Sequence, residues 1–582
     1  MLRKQTFTIA LLAILLLTAC QTHDEHATDP SQSVDVLSRF GADGKAWLTL
    51  EISTDAVGSL RRAANGSFDD GDPSESAVKT LTLVLFHGSG TEDDCRVAST
   101  YNLLFSSADD GHQQVTNHSE TTLQISAVNI STGDDLYMMA IANASPTITA
   151  GTTFASLKTT LMSGVTNNID DTPYYVMSSG LMATANDGSG HTLTLTPISA
   201  YSLYGSAEEA TAHPAGGHIF LERAAVKVTV DTDEDLDLHI AGNTNIDFTR
   251  ADLWYSLFNY NTSYYLVRQF DDSWLSYNAS STGYRFVESA PLPTGKYRTY
   301  WAKDPNYDNG GSLDAYFKQW NVMGVSDYCA ENTFDVTHMV DLYTTSVVIA
   351  LALNDGANFY TASTTGSDVV YQEPSTTISE EGTSADQSFA PRRSVSAAKP
   401  IDEYLREWLL QTNSDFRRWV NQYAGGEANH VKIAVKNKNT DTGLATFTAS
   451  QTAQSGGAGA TAFEALHLDN YMAGNIVIRY YYQGLCYYRV PIRHFGNELT
   501  PWTSTPTMTA STPTAAYDND AASYLGRYGV VRNNWYQISI KRITHVGSPI
   551  VPPLTSDADD QIEQLLNATL YITGWTTHEQ DI

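Results

Sequence analysis

Two short alternating runs at opposite ends of the chain restrict its fold more than any other feature. From Trp47 to Thr54 every second side chain is apolar, and Leu48, Leu50 and Ile52 share one face. That is the period of a half-buried β-strand. Near the other end, Ala568, Leu570 and Ile572 share a face in the same manner, and Trp575 follows shortly after. The first run is succeeded by a dibasic doublet, Arg61-Arg62, and then Ala63. The arrangement predicts one groove with two alternative occupants: a built-in strand that proteolysis can remove, and a strand supplied by a neighbouring molecule.

Between these runs the chain reads as β-structure. Residues Val78 to Phe86, Leu123 to Val128, Leu136 to Ala142 and Leu193 to Ile198 are strand-like and separated by Gly, Asn, Asp and Ser clusters. Such spacing predicts a sandwich with hairpin connections. A boundary is expected near residue 222, beside the run Leu221 to Val230. Asp231, Asp233, Asp235 and Asp237 then alternate, which reads as a charged edge that resists sheet-to-sheet pairing rather than a cation site. Thr345 to Leu353 predicts a buried strand, and residues 363–396 a polar insertion with a second doublet, Arg392-Arg393. The main helical signal is Ile401 to Tyr423, where apolar residues recur at i, i+3, i+4 and a polar break from Gln411 to Asp415 allows one bent helix or two short ones. Ile476 to Tyr482 and Leu485 to Ile492 predict a hairpin about Gln483-Gly484. Ser548 to Pro553 predicts a stiff linker holding the last strand away from its own domain.

With 34 Lys+Arg against 65 Asp+Glu, the net charge of −31 repels a phosphate backbone and excludes nucleic acid as a partner. Arg3-Lys4 and the apolar run Phe7 to Leu17 form a signal-peptide pattern too short to span a membrane comfortably. It ends in Leu17-Thr18-Ala19-Cys20, which resembles a lipobox, so Cys20 is the expected lipidation site. Three cysteines remain, Cys95, Cys329 and Cys486, enough for at most one disulfide. None has metal-ligand or redox spacing. No nucleophile elbow, phosphate loop, dinucleotide fingerprint or zinc-protease helix is present, and His87-Gly88-Ser89-Gly90 reads as a turn. Neither catalytic residues nor a metal nor a cofactor is predicted. Trp254, Trp274, Trp301 and Trp320 offer a second reading, a glycan-binding surface.

The runs Tyr487-Tyr488-Arg489-Val490-Pro491-Ile492-Arg493-His494-Phe495 and Tyr528-Gly529-Val530-Val531-Arg532-Asn533-Asn534-Trp535-Tyr536, with Ile540 and Val546-Gly547-Ser548-Pro549, closely resemble the C-terminal signature of the fimbrillins. These are type V pilus subunits of Bacteroidota, and the likeness is greatest to the major subunit of Mfa-type minor fimbriae. The Leu221 to Val230 run, Glu331-Asn332-Thr333, the strand Ala568 to Trp575, the lipobox and the arginine before the first domain also look like that family. The resemblance implies a mainly β protein with two transthyretin-like β-sandwich domains, a short helical insertion in the second and a C-terminal donor strand. Its expected order is a lipoprotein signal peptide (1–20), a propeptide with the removable strand (21–62), an N-terminal sandwich (63–222), a C-terminal sandwich (223–548), and a linker with the donor strand (549–582). It further implies a precursor lipid-anchored in the cell outer membrane and an arginine-specific surface protease cutting at Arg62-Ala63 or one residue earlier. Polymerisation with other copies and accessory subunits into an extracellular, adhesive fimbrium would follow. A tip or accessory adhesin, or a glycan-binding surface lipoprotein, is the alternative, because residues 363–423 have no counterpart in the family pattern.

Overall fold

A computed structural model describes residues 34–54, 73–104, 118–238, 253–279, 283–292, 294–308, 315–352, 358–364, 376–379, 399–496, 520–543, 547–559, 567–573 and 578–580. Mainly β, these residues form three sheet-based cores. The first contains β1 (Lys45–Ser53), β2 (Thr80–Gly88), β3 (Arg96–Leu104), β4 (His118–Ser126), β5 (Asp135–Ala142), β6 (Met177–Ser179) and β7 (His218–Arg223), in the order β3-β2-β5-β6-β7-β1-β4. The sheet curls over itself. Leu48, Leu50, Ile52, Leu123 and Ile125 therefore share a core with Leu81, Leu83, Leu85, Leu136 and Met138 from its far half.

Only Ala224 separates β7 from β8 (Ala225–Leu238), the first strand of the second sandwich. Its other strands are β9 (Leu253–Tyr260), β10 (Ser326–Ala330), β11 (Ser346–Ala352), and, after an insertion, strands numbered below. The insertion begins with β12 (Phe359–Thr364) and continues through helices α1 (Ile401–Thr412) and α2 (Ser414–Tyr423), strands β13 (Val431–Asn439) and β14 (Leu444–Gln451), helices α3 (Gly457–Glu464) and α4 (Leu468–Asn475), and β15 (Ile476–Tyr481). The chain then returns through β16 (Leu485–Pro491), β17 (Trp535–Ile543), β18 (Asn567–Thr573) and β19 (His578–Gln580). One sheet runs β10-β8-β17-β18-β19; the facing one places β9, β11 and β16 side by side. Val226, Val228, Tyr255, Leu257, Ile349, Tyr488, Ile538 and Ile540 fill the space between them.

The helical signal resolves into two helices. Asn413 breaks them, its side-chain oxygen accepting from Phe416 N at 2.8 Å and capping α2. The insertion is larger than its helices: they lie on a six-stranded sheet and share a core of Leu405, Trp408, Phe416, Trp419, Ile433, Phe447 and Ile478.

Two sequence expectations need correction. First, β15 and β16 are not a hairpin. Strand β15 pairs with β12 and β14, whereas β16 pairs with β11, so the chain crosses from one sheet to another between them. Gln483 and Gly484 have φ of 53° and 67°, the left-handed geometry of a tight corner. Second, Pro549–Pro553 does not hold the last strand away. Residues 548–559 are stitched to the second sandwich, and β18 pairs antiparallel with β17 from Trp535↔Thr573 to Arg542↔Asn567.

Candidate assembly site

The run read as a removable strand occupies an interior position in its sheet. On one side β1 pairs antiparallel with β4 along its whole length, from Lys45↔Ser126 to Ser53↔His118. On the other it is parallel to β7 at Glu51↔His218, Ile52↔Ile219 and Ser53↔Phe220. Further backbone groups on that side are also engaged. Trp47 exchanges two bonds with Tyr204 (2.8 and 2.9 Å), Gly216 N donates to Thr49 O (2.7 Å), and Glu51 N donates to Gly217 O (2.9 Å). Strand β4 has no other ladder partner among the described residues.

Leu48, Leu50 and Ile52 are fully buried, each at 0% exposure. Glycine at two positions lets the backbone approach them. A Cβ on Gly216 would stand 2.8 Å from Leu48 Cδ1, and one on Gly217 3.3 Å from Leu50 Cδ2 and 3.0 Å from Ile198 Cδ1. The opposite face is polar. Thr49 and Thr122 share a hydroxyl contact of 2.8 Å, while His218 lies 3.1 Å from Ser53 Oγ and 3.4 Å from Glu51 Oε1. Each ladder bond contributes a net ~0.5–1.5 kcal/mol, and each buried Leu or Ile ~1.5–3 kcal/mol. Emptying the position therefore exposes an apolar trough flanked by backbone groups without partners, which templates another strand.

Arg61, Arg62 and Ala63 lie outside the described residues, as do Cys20 and Trp575. Beyond the doublet the chain is anchored again at Pro73–Ser76. Buried Lys227 holds Glu75 at 2.8 Å, Arg223 Nε donates to Glu75 O (2.8 Å), Arg223 Nη2 donates to Ser76 Oγ (2.5 Å), and Tyr328 OH donates to the same Glu75 carboxylate. Periodicity gave no hint of this clamp; its members are up to 253 residues apart.

In β18, Ala568, Leu570 and Ile572 stand opposite Ile540, Ile538 and Tyr536 of β17. The tail that leads there is held by polar contacts. Arg489 and Asp341 form a buried two-pronged ion pair, and Asp341 Oδ2 also accepts from Thr555 N at 2.8 Å. Arg489 Nη2 donates to Pro553 O (3.1 Å), and Leu342 N to Thr555 O (3.0 Å).

Cys95, Cys329 and Cys486 are all free and buried, so no disulfide joins them. Burial raises the Cys95 thiol to about 11, Cys329 to about 12 and Cys486 well above its ordinary value, leaving all three unreactive. The four tryptophans do not make one surface: Trp274 and Trp301 are core residues at 4% and 0% exposure, whereas Trp320 is exposed and Trp254 half-buried. Among the described residues no group of His, Cys, Asp and Glu could hold a metal ion.

Residues 479–581 match the family described as "Major fimbrial subunit protein type IV, Fimbrillin, C-terminal". The match marks the C-terminal region of the chain as similar to the fimbrillins. That region includes β16, β17 and β18, and therefore both strands of the β17–β18 pair, whereas Asp341 lies outside it. Among solved structures the chain is similar to a fimbrilin (fimA) from Porphyromonas gingivalis W83, at 12% identity over 90% of this chain and 97% of that one, with a TM-score of 0.36. It is also similar to a fimbrial assembly protein from Parabacteroides distasonis ATCC 8503 (12% identity, 53% and 81% covered, TM-score 0.24). A third is the fimbrial anchor protein Mfa2 from Porphyromonas gingivalis (13%, 52% and 76%, 0.19). These likenesses are distant. No curated protein matches the chain.

Proposed function

We propose that this chain is a fimbrillin, a structural subunit of a type V pilus, polymerised by strand exchange after proteolysis. The supporting observation is the interior place of β1, buried at Leu48, Leu50 and Ile52 and hydrogen-bonded on both sides. In this reading the precursor is lipidated at Cys20 and anchored in the outer membrane. An arginine-specific protease then cuts at Arg62-Ala63, between the β1 position and the Glu75 clamp. Loss of β1 leaves the trough open, and β18 of a second copy fills it with Ala568, Leu570 and Ile572. The contact is head-to-tail and need not close, so it propagates as a filament that supports adhesion. Because β18 pairs with β17 in the uncut chain, exchange also requires β18 to leave that position.

The test is to treat purified precursor with an arginine-specific protease and follow mass on a denaturant-free gel. A ladder of multimers is expected from the cut chain and none from the uncut one, and deletion of residues 567–582 abolishes the ladder. Polymer formation by an Arg61→Ala/Arg62→Ala double variant under the same protease would refute the cut site. A ladder that survives the C-terminal deletion would refute the donor.

A further inference from the structure

A cleft of about 210 Å³ opens beside β7, with Met182, Thr194, Thr196, His218, Phe220 and Lys296 in its wall. It lies where two parts of the chain meet. Tyr297–Arg298 pairs with Met182–Ala183, which brings Lys296 to the rim of the first sandwich. Met182 and Phe220 are buried and pack with Leu292, giving the cleft an apolar floor. Thr196 Oγ1 donates to His218 O at 3.3 Å and retains acceptor capacity.

Lys296 is the unusual member. It is half-buried, and burial lowers its pKa below the ordinary lysine value. Its ammonium makes no hydrogen bond and no ion pair among the described residues. Glu92, which acts on it through space, already has its carboxylate engaged by Thr194 N (2.8 Å) and Leu195 N (2.5 Å). A lysine is rarely desolvated without a partner, because water then solvates the charge less well. Here the charge stands on the wall of a cleft between two structural units, a common setting for a ligand site. An anion entering the cleft would supply the missing partner in a charge-assisted bond.

We propose that this cleft binds a ring-sized ligand carrying a carboxylate, with Lys296 holding the anion. The hydroxyls of Thr194 and Thr196 meet the polar edge of the ring, and Met182 and Phe220 lie under its apolar face. The volume is below the ~300–1,000 Å³ of drug-sized pockets, so the cleft takes a single ring rather than an oligomer. The inference does not depend on strand exchange.

The experiment titrates the uncut chain by calorimetry with D-glucuronate, D-glucose and acetate. Glucuronate is expected to bind at least about tenfold more tightly than glucose, and Lys296→Met to remove that difference. Thermal midpoints of the parent and variant report whether folding is intact, and Lys296→Gln is the second variant should Lys296→Met not fold. Acetate displacing glucuronate at equal concentration would mean that the ring adds nothing to binding and would overturn the ring-sized ligand. Glucuronate binding that acetate does not rival supports an acidic sugar. Equal binding of glucuronate and glucose, no binding of either, or unchanged affinity in both lysine variants would overturn the proposal.

Discussion

The two terminal segments of the described fold are held in opposite ways. Strand β1 is held by apolar burial inside a sheet, where Leu48, Leu50 and Ile52 are out of reach of water. The tail from residue 548 to 559 is held by a polar lock on the surface of the second sandwich, with buried Asp341 gripping both Arg489 and Thr555. Their neighbours differ as well. Strand β4 has only β1 as a ladder partner among the described residues, whereas β17 is paired with β8 from Lys227↔Trp535 to Leu238↔Ile543 independently of β18. Removal of β1 disrupts its surroundings, and departure of β18 leaves β17 supported. The proposed exchange therefore asks different things of the two segments: β1 must be cut free of its sheet, and β18 must leave β17.

The largest effect is expected at the polar lock. Asp341→Ala leaves the Arg489 charge buried without its carboxylate, which costs about 3–5 kcal/mol. Urea denaturation measures the total. Hydrogen exchange localises it: the amides of Leu342 and Thr555 should lose protection while those of β1 and β4 keep theirs. If the tail amides stay protected, something other than this ion pair holds the tail, and the contrast with β1 disappears.

Next comes Leu50→Ala, expected to cost about 2–5 kcal/mol because a large side chain is removed from a filled core. Here protection should fall in β1 and in β4 together, with β17 unaffected. Retained protection in β4 would mean that it has support beyond β1. The same variant sharpens the exchange model, since a weakened resident strand should be lost more readily after cleavage.

What the sequence made legible follows from the range of the forces involved. Period-2 and period-3.6 patterns are local, so β1, β5, α1 and α2 could be read directly from Trp47 to Thr54, Leu136 to Ala142 and Ile401 to Tyr423. Gln483-Gly484 also carried a true local signal, a sharp turn with positive φ. The signal does not encode which sheet each flanking strand joins, and β15 and β16 went to different ones. Prolines 549, 552 and 553 stiffen the chain but do not specify where it docks. Docking is decided by Asp341 and Arg489, 148 residues apart. At the candidate exchange site the face of the resident strand was legible in Leu48, Leu50 and Ile52. The site's other wall, made by Tyr204, Gly216 and Gly217, was not, because a glycine pair signals freedom of the backbone and not the leucines it will meet.

A smaller effect is expected from pH. Burial raises the Glu92 carboxyl from 4.5 to about 7, against the opposing influence of the Thr194 and Leu195 amides. The folded chain then binds more protons than the unfolded one between those values, so this residue makes stability fall as pH rises from about 4.5 to about 7. Glu92→Gln should flatten that part of the profile and be the more stable form above pH 7. The slope belongs to the first sandwich, because the amides that Glu92 holds precede Ile198, which packs with Leu50 in the core. If its loss appeared in tail-amide exchange instead, the two segments would not be held independently.

The smallest effect is expected at the polar face of β1. Glu51 lies 3.4 Å from His218 Nδ1 at a partly exposed site, where an ion pair contributes about 0–1 kcal/mol and is screened by salt. Glu51→Gln should therefore move the urea midpoint little, and less still in 0.5 M salt. The comparison rests on this being small. A loss well above about 1 kcal/mol, diminishing with added salt, would mean that charge holds β1 as it holds the tail. The donor run would then be a poor substitute, because aligning Leu570 with Leu50 puts Tyr571 where Glu51 stands, with no carboxylate to offer His218. A near-zero effect would mean that the trough selects for the apolar face alone, a face that Leu570 and Ile572 match and that Ala568 fills with a smaller side chain than Leu48.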